Sequence, residues 1–271
     1  MKRNWSSFST LSTKEKVFRI VNLILMIGLI TTCIVFAILC GVKADFGRNF
    51  TLSIVMAVLF AFPLLLELIF GHRLPNWVTF CFTIYIVLAG FLGSLFKFYS
   101  LFKGYDKVVH FLFGYVVSLP GIFLISLCQD YKKLNPLTIA FFCLFFSLTI
   151  EFLWEIYEFC ADRFFHQSMQ GAVAPSATAP YVTDTITDMM CNLGGALVFF
   201  IHFLIGRKTK FNLGIRNIER SITYRKNEMA TESVEVEDKR ERIEGQDDKN
   251  LSLQNEDEVL NNEAELNKKD E

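Results

Sequence analysis

The amino-acid sequence predicts an all-α protein: a polytopic membrane helix bundle with six transmembrane helices, both termini in the cytoplasm, and a disordered, charged C-terminal tail. Three observations predict this class. The 271-residue chain is 52% hydrophobic, its apolar residues form long unbroken runs, and its charged residues concentrate after residue 206. A secreted disulfide scaffold, a wholly disordered chain and a water-soluble enzyme are excluded, because none of them carries such runs.

Six apolar runs are long enough to cross a bilayer, and in lipid they must be helical because unpaired backbone groups are not tolerated there. They cover residues 17–42, 50–70, 77–98, 105–128, 136–160 and 182–205. The first run is too long for a signal peptide and lacks a cleavage site, so we expect it to remain as an anchor. A transmembrane domain is therefore predicted over residues 17–206, after a cytoplasmic N-terminal segment of residues 1–16.

Lysine and arginine residues near the ends of the spans predict the orientation, since cytoplasmic loops are enriched in both. With the N-terminus inside, fifteen of these residues fall on the cytoplasmic side and six on the outer side. Both termini are therefore expected in the cytoplasm, with the six spans in the plasma membrane.

The segment after the last span divides by charge. Residues 207–226 carry seven Lys or Arg against Glu219, a pattern typical of a juxtamembrane segment beside an anionic leaflet. Residues 227–271 carry sixteen acids against six bases and few large apolar residues, which predicts an acidic disordered cytoplasmic tail. We expect a solvated appendage, with docking of a cytoplasmic protein as the alternative. Nothing in the charge pattern favours nucleic-acid binding.

The last three spans hold seven of the eleven acidic residues that precede residue 207. Carboxylates inside a span cost about 2.5–3.5 kcal/mol each to insert, and they normally face the interior of the bundle. On each of these spans the polar residues recur at helical spacing and form one stripe. The stripes are Asp106 and His110 on the fourth span, Glu151, Glu155, Glu158 and Asp162 on the fifth, and Asp184, Asp188 and Asn192 on the sixth.

The three stripes are expected to meet at one depth. The fourth and sixth spans enter the membrane from outside, so their stripes occupy their first turns, whereas the fifth span runs outward and its stripe occupies its last turns. At about 1.5 Å rise per residue, His110, Glu155 and Asp188 lie about 7–10 Å below the outer surface. The sequence therefore predicts an acidic site that is open to the extracytoplasmic face.

Carboxylates and a histidine at one depth are suited to binding a divalent cation, with His110, Glu155, Asp188, Glu151 and Asp184 as candidate ligands. Oxygen ligands favour Mg²⁺, Mn²⁺ or Ca²⁺ over Zn²⁺ or Fe²⁺. Without a cation, protonated carboxyls would serve a proton-coupled transporter or a general acid/base pair. A third interpretation is a hydrogen-bonded network that only holds the helices together. The inner halves of the three spans are nearly all apolar, which disfavours a transport path.

The motifs YDKVVHFLFG, EFLWEIYEFCAD and TDTITDMMCNLGGA resemble those of bacterial integral-membrane proteins of the YjdF-like family and, more distantly, of the VanZ-like family. The resemblance covers about residues 105–198, including Met169-Gln170, and relatives often have an acid where Asn192 stands. VanZ-like proteins are linked with reduced glycopeptide susceptibility, which implies a role at the outer face of the cell envelope, whereas the YjdF-like group has no assigned reaction. The positions that the resemblance marks as functional are Asp106, His110, Glu151, Glu155, Glu158, Asp162, Gln170, Asp184, Asp188 and Asn192.

Together these patterns favour a plasma-membrane protein of a bacterial, Gram-positive type, whose site binds a divalent cation and acts on, or recognises, an envelope lipid or lipid-linked headgroup. In this hypothesis three residues are ligands or acid/base groups, namely His110, Glu155 and Asp188. Three others orient them, namely Asp106, Glu151 and Asp184. A proton- or cation-coupled transporter and a structural or assembly protein are the alternatives, and the pattern does not decide whether the protein is an enzyme.

Overall fold

The computed structural model describes residues 12–43, 48–70, 73–165, 169–170, 180–209, 211–212, 214–222 and 234. Most of the predicted N-terminal segment and nearly all of the predicted acidic tail lie outside these residues. The chain divides after Ile222 into two units, and Val234 is the one described residue of the second unit. Over the described ranges the protein is helical and contains no strand.

The helices, in chain order, are α1 (Thr13–Val42), α2 (Arg48–Phe70), α3 (Asn76–Ile86), α4 (Phe98–Leu101), α5 (Tyr105–Cys128), α6 (Pro136–Phe165), α7 (Pro180–Lys208) and α8 (residues 215–222). A π-helical segment, Val87–Leu95, continues α3, and a short 3₁₀ turn, Tyr131–Lys133, lies between α5 and α6. Six of these helices are long and apolar enough to cross a membrane: α1, α2, α3 with its π-helical extension, α5, α6 and α7. The predicted six-span, all-α class is therefore confirmed.

The first helix begins four residues before the predicted span because its start is capped by polar side chains. The Ser12 hydroxyl accepts the Glu15 backbone N–H, and the Glu15 carboxylate accepts the Ser12 backbone N–H, at 3.4 and 3.2 Å. This reciprocal pair is a capping box, which satisfies two donors that the first turn leaves without partners. The charged residues before the apolar run are therefore helical as well.

The backbones of α5 and α7 approach each other closely at glycines. A Cβ atom at Gly114 of α5 would meet the carbonyl oxygen of Asn192, and one at Gly195 of α7 would meet the carbonyl oxygen of Phe111. Small residues at such crossings allow membrane helices to pack backbone against backbone. Beyond this crossing, α5, α6 and α7 share an apolar core that contains the fully buried Leu119, Ile139 and Phe199.

A second apolar cluster joins α1, α2 and α3. Phe60 of α2 is fully buried between Cys33 of α1 and Ile86 of α3. The Met56 side chain lies against Gly90 in the π-helical segment, where any Cβ atom would collide with it. The wider π-helical turn is thus packed directly against α2.

The helix α8 belongs to the folded body, although charge alone predicted only a basic surface segment there. Ile215, Ile218 and Ile222 recur at helical spacing and are all buried in the core shared with α5 and α7. The Glu219 carboxylate accepts hydrogen bonds from the Tyr131 hydroxyl at 2.6 Å and from Arg207 Nη1 at 2.5 Å. Burial, and then this contact with Glu219, raise the pKa of Tyr131.

Candidate functional site

The polar stripes of the last three spans form one buried group, because α5 and α7 begin at the end of the bundle where α6 ends. Its centre is His110 on α5, which is 5% exposed. Glu151 and Glu155 approach His110 from α6, and Asp188 approaches it from α7. The helical spacing read from the sequence therefore places these side chains in one layer of the structure.

One nitrogen of His110 is held by a buried hydrogen-bond chain. His110 Nδ1 lies 2.6 Å from Glu151 Oε1, and Asn192 Nδ2 donates to Glu151 Oε2 at 3.0 Å. The Ser147 hydroxyl donates to the Gly114 carbonyl at 3.0 Å and lies 3.4 Å from Asn192 Oδ1. Glu151, Asn192 and Ser147 are fully buried, so this chain fixes the position and the rotation of the imidazole ring.

The other nitrogen of His110 faces two aspartates. His110 Nε2 lies 3.6 Å from Asp106 Oδ1 and 3.9 Å from Asp188 Oδ1. Ligand atoms around a cation with bonds of about 2.1 Å are separated by about 3–3.5 Å, so a small contraction would let these three atoms share one ion. Glu151 and Glu155 form a second such group on the Nδ1 side, although there the short contact with Glu151 already occupies the nitrogen.

Lys107 is also a member of the site, although in the sequence it counted only as one of the six basic residues on the outer side. Its ammonium group lies 2.7 Å from Asp184 Oδ1, 2.8 Å from each Asp188 oxygen and 3.1 Å from Asp106 Oδ2. Asp184 is therefore engaged with Lys107. The signal that could have revealed Lys107 is its spacing, because it precedes His110 by three residues and so shares the same helix face.

Glu155 is the least satisfied group of the cluster. Its side chain is 5% exposed, and neither carboxylate oxygen has a hydrogen-bond partner among the described residues. Oε1 lies 4.0 Å from His110 Nδ1, and Thr185 of α7 is a neighbour that does not reach hydrogen-bond geometry. Burying a carboxylate that lacks hydrogen-bond partners costs free energy. Glu155 is therefore suited to taking up a proton or contacting a ligand.

The remaining predicted residues make contacts in the C-terminal part of α6 and just after it. Glu158 accepts a hydrogen bond from the Trp154 indole at 2.8 Å on the same helix. Asp162 accepts the backbone N–H groups of Met169 and Gln170 at 2.7 and 3.0 Å, and the Gln170 amide donates to Thr185 at 3.3 Å. Asp162 and Gln170 therefore tie the chain after α6 to α7, away from the His110 ring.

Two members of the group are partly exposed, and both lie in the first turn of α5. The side chains of Asp106 and Lys107 are 32% and 30% exposed, whereas those of His110, Asp184 and Asp188 are nearly inaccessible. A small ion or a phosphate group arriving at the first turn of α5 would therefore meet Asp106 and Lys107 first.

Residues 23–209 match a protein family described as "Predicted membrane protein (DUF2238)". The match covers more than half of the chain, so the protein belongs to this family. It includes the first span from residue 23 onward, the second and third spans, and residues 105–198, which carry the motif resemblance. No curated protein and no solved structure matches the chain. The family and the six apolar helices together identify a multi-pass membrane protein.

Proposed function

We propose that this member of the DUF2238 family binds a divalent cation between Asp106, His110 and Asp188 and uses it to act on, or recognise, the headgroup of an envelope lipid or lipid-linked molecule. The observation that carries the proposal is that the two ring nitrogens of His110 have different neighbours. Nδ1 contacts Glu151, whereas Nε2 faces two aspartates. The protein lies in the plasma membrane with both termini in the cytoplasm.

The surroundings of His110 support a cation site because they match the way proteins hold metal-ligating histidines. Such a histidine donates its second N–H to a carboxylate, which is itself hydrogen-bonded, and this fixes the tautomer and the ring. Glu151 and Asn192 supply that arrangement. Two aspartate oxygens and one imidazole nitrogen form an oxygen-rich set, which favours Mn²⁺ or Mg²⁺ and leaves positions open for water or a phosphate oxygen.

Glu155 and Lys107 supply the remaining chemistry. Glu155 has two buried oxygens close to His110 that lack a hydrogen-bond partner among the described residues. It is the acid/base candidate for a proton moving to or from a bound water or headgroup. Lys107 holds Asp184 and Asp188 together and carries the positive charge that a phosphate would meet. A site in the first turns of α5 and α7 lies at the depth of lipid headgroups, which is the reason for proposing a lipid or lipid-linked substrate.

The cation proposal is tested by metal content and thermal stability of the detergent-purified protein. Wild type is expected to carry near-stoichiometric metal, and a chelator is expected to lower its Tm. Asp188→Asn and His110→Ala should lose the metal, whereas Glu151→Gln should weaken affinity by about 10–100-fold, as loss of a carboxylate behind a ligating histidine does. Glu158→Gln, at a buried acid that accepts a hydrogen bond from Trp154, is the matched control and should retain the metal. Metal-free wild type that gains no stability from Mg²⁺, Mn²⁺, Ca²⁺ or Zn²⁺ would exclude the cation site.

A proton-coupled transporter is the second candidate, because a second polar pair lies farther along α5 and α7. The Tyr115 hydroxyl is 2.6 Å from His202 Nδ1, and His202 Nε2 is buried without a partner in the described part of the chain. His202 lies in the inner half of the sixth span, which was expected to be nearly all apolar. The fully buried Ala196 and Phe199 separate this pair from Asn192, so a continuous polar path is interrupted. Proton uptake by vesicles that is abolished by Tyr115→Phe would favour transport over the cation site.

The proposed orientation makes its own prediction for reporter fusions. Green fluorescent protein fused after Glu271 should fluoresce, since it folds in the cytoplasm. Alkaline phosphatase fused after Lys103 should be active, because that loop is proposed to face outward, and a fusion after Lys133 should be inactive. The opposite pattern of phosphatase activity would place the His110 site at the cytoplasmic face.

A further inference from the structure

Two tyrosines that lie outside the polar stripes are neighbours of the His110 site. Tyr85 belongs to α3, and Tyr99 belongs to the short helix α4. Tyr85 interacts electrostatically with Glu151 and Asp106, which are members of the site. Tyr99 also interacts electrostatically with Asp106. The part of the chain that precedes α5 therefore contributes two phenol groups to the surroundings of the site.

The π-helical segment and the start of α5 hold the Tyr99 ring. A Cβ atom at Gly93 of the π-helical segment would collide with this ring, so the ring lies directly against the backbone. Its edge contacts the Tyr105 ring with the centroids 5.5 Å apart, and the Tyr105 hydroxyl donates to the Leu88 carbonyl at 3.0 Å. Tyr105 immediately precedes Asp106, so Tyr99 lies at the first turn of α5, where the site is partly exposed.

Aromatic contacts hold the Tyr85 ring against the next turn of α5. Its centroid lies 5.1 Å from that of Phe113, and the Phe113 centroid lies 6.4 Å from that of Trp154 on α6. Phe113 follows His110 by three residues, so the two side chains share one face of α5. The row of three rings therefore runs from α3 across α5 to α6 beside the imidazole.

The hydroxyl groups of these two tyrosines have no hydrogen-bond partner among the described residues. Tyr85 is half-buried and Tyr99 is 37% exposed, so neither hydroxyl is sealed inside the apolar core. A tyrosine hydroxyl that is removed from bulk water normally finds a partner. Rings that are fixed by packing, with donors that the protein itself does not use, are suited to contacting a bound ligand.

We infer that Tyr85 and Tyr99 are ligand-binding residues of the His110 site, where their hydroxyls donate hydrogen bonds to the oxygens of a phosphate group. The inference rests on the proposed function, because the cation and Lys107 supply the positive charge that a phosphate needs among so many carboxylates. Phosphate has more acceptor oxygens than these charges can use, and phenol hydroxyls are neutral donors. The phosphate belongs either to a lipid headgroup or to free inorganic phosphate.

The test measures phosphate affinity by titration calorimetry on the full-length, detergent-purified protein in the presence of Mn²⁺. The two probes are dihexanoyl phosphatidic acid and inorganic phosphate. Tyr85→Phe and Tyr99→Phe each remove one hydroxyl and keep the ring that packs against Phe113 or Gly93. Each variant should weaken the affinity by about tenfold, the effect of losing one hydrogen bond to a charged acceptor. Tm and metal content should stay at the wild-type values, which a purely structural role of the hydroxyls would not predict together with weaker binding.

Tyr157→Phe is the matched control, because it removes a hydroxyl from a tyrosine of α6 that is 48% exposed, and it should bind both probes as wild type does. Phosphatidic acid that binds more tightly than inorganic phosphate, and less tightly to both tyrosine variants, would support a lipid phosphate. Equal affinities for the two probes, with the same dependence on Tyr85 and Tyr99, would support free phosphate. Wild-type affinity in both variants, or no binding of either probe to wild type, would overturn the inference.

Metal content is measured on the same samples, so that a failure of this inference is distinguished from a failure of the cation site. Metal-bound protein whose phosphate affinity does not depend on the two hydroxyls would overturn the inference and leave the cation proposal standing. Metal-free protein that still binds phosphate through Tyr85 and Tyr99 would exclude the cation and support the role of the tyrosines.

Discussion

Gly195→Ala is expected to leave little folded protein, because the added methyl group has no space between α7 and α5. A Cβ atom at this position would lie against the carbonyl oxygen of Phe111 and the backbone nitrogen of Tyr115, and neither can turn aside as a side chain can. Separating the two helix backbones should cost at least about 3 kcal/mol, the upper end of the usual cost of overpacking. The measurement is the yield of monodisperse protein in detergent together with its Tm.

Gly194→Ala is the matched control, one residue away on the same helix. Its Cβ atom would meet only the edge of the Phe111 ring at 3.4 Å, which is ordinary van der Waals contact. Replacing glycine by alanine inside a helix otherwise favours folding by up to about 1 kcal/mol, so this variant should be neutral or slightly more stable. Similar Tm values for the two alanine variants would contradict the close crossing of α5 and α7.

Removing the Lys107 ammonium group is expected to destabilise the metal-free protein strongly. The Lys107→Met variant would leave Asp184 and Asp188, whose side chains are 6% and 1% exposed, without their shared cation. Loss of one partner from a buried ion pair costs about 3–5 kcal/mol, and the lower end applies because Lys107 is partly exposed. Thermal unfolding after chelation would measure the effect.

Lys103→Met is the control for Lys107, since it removes an exposed lysine four residues earlier in the chain. It should change Tm little. Under the cation proposal, Mn²⁺ or Mg²⁺ should restore most of the Tm lost by Lys107→Met, because the ion supplies the positive charge that Asp188 has lost. A variant as stable as wild type without metal would show that the contacts of Lys107 contribute nothing to folding.

The predictions for Gly195→Ala and Lys107→Met both concern the packing of α5 against α7. The close crossing at Gly114 and Gly195 determines the distance between the polar stripes of these two helices. Asn192 contacts Gly114 at this crossing and donates to Glu151, which in turn holds His110. A shift between α5 and α7 would therefore break the chain that orients the histidine. The tight backbone packing and the chemistry of the site depend on the same few residues.

Most of the architecture was accessible from the sequence, because lipid permits few alternatives. Runs of about 20 apolar residues must be helices, and their number predicted six spans. The i, i+4 spacing of Asp184, Asp188 and Asn192 put them on one face, and span direction alone put His110 and Glu155 at a similar depth. These inferences rely on helix periodicity and rise per residue, which do not depend on neighbouring helices.

The tertiary structure decided what each polar side chain does within that layer. Periodicity assigns a residue to a face, but the rotation of each helix and the distance between helices determine which atoms meet. Lys107 therefore contacts Asp184 and Asp188, although in the sequence it counted only as a charge on the outer side. Glu155 lies beside His110 without a hydrogen-bond partner among the described residues. The burial of α8 and the pairing of Arg19 with Glu67 have the same cause. Each depends on contacts between residues distant in the chain. Local spacing can assign Lys107 to a helix face and the isoleucines of α8 to one side of that helix, but it does not record which distant residues they contact.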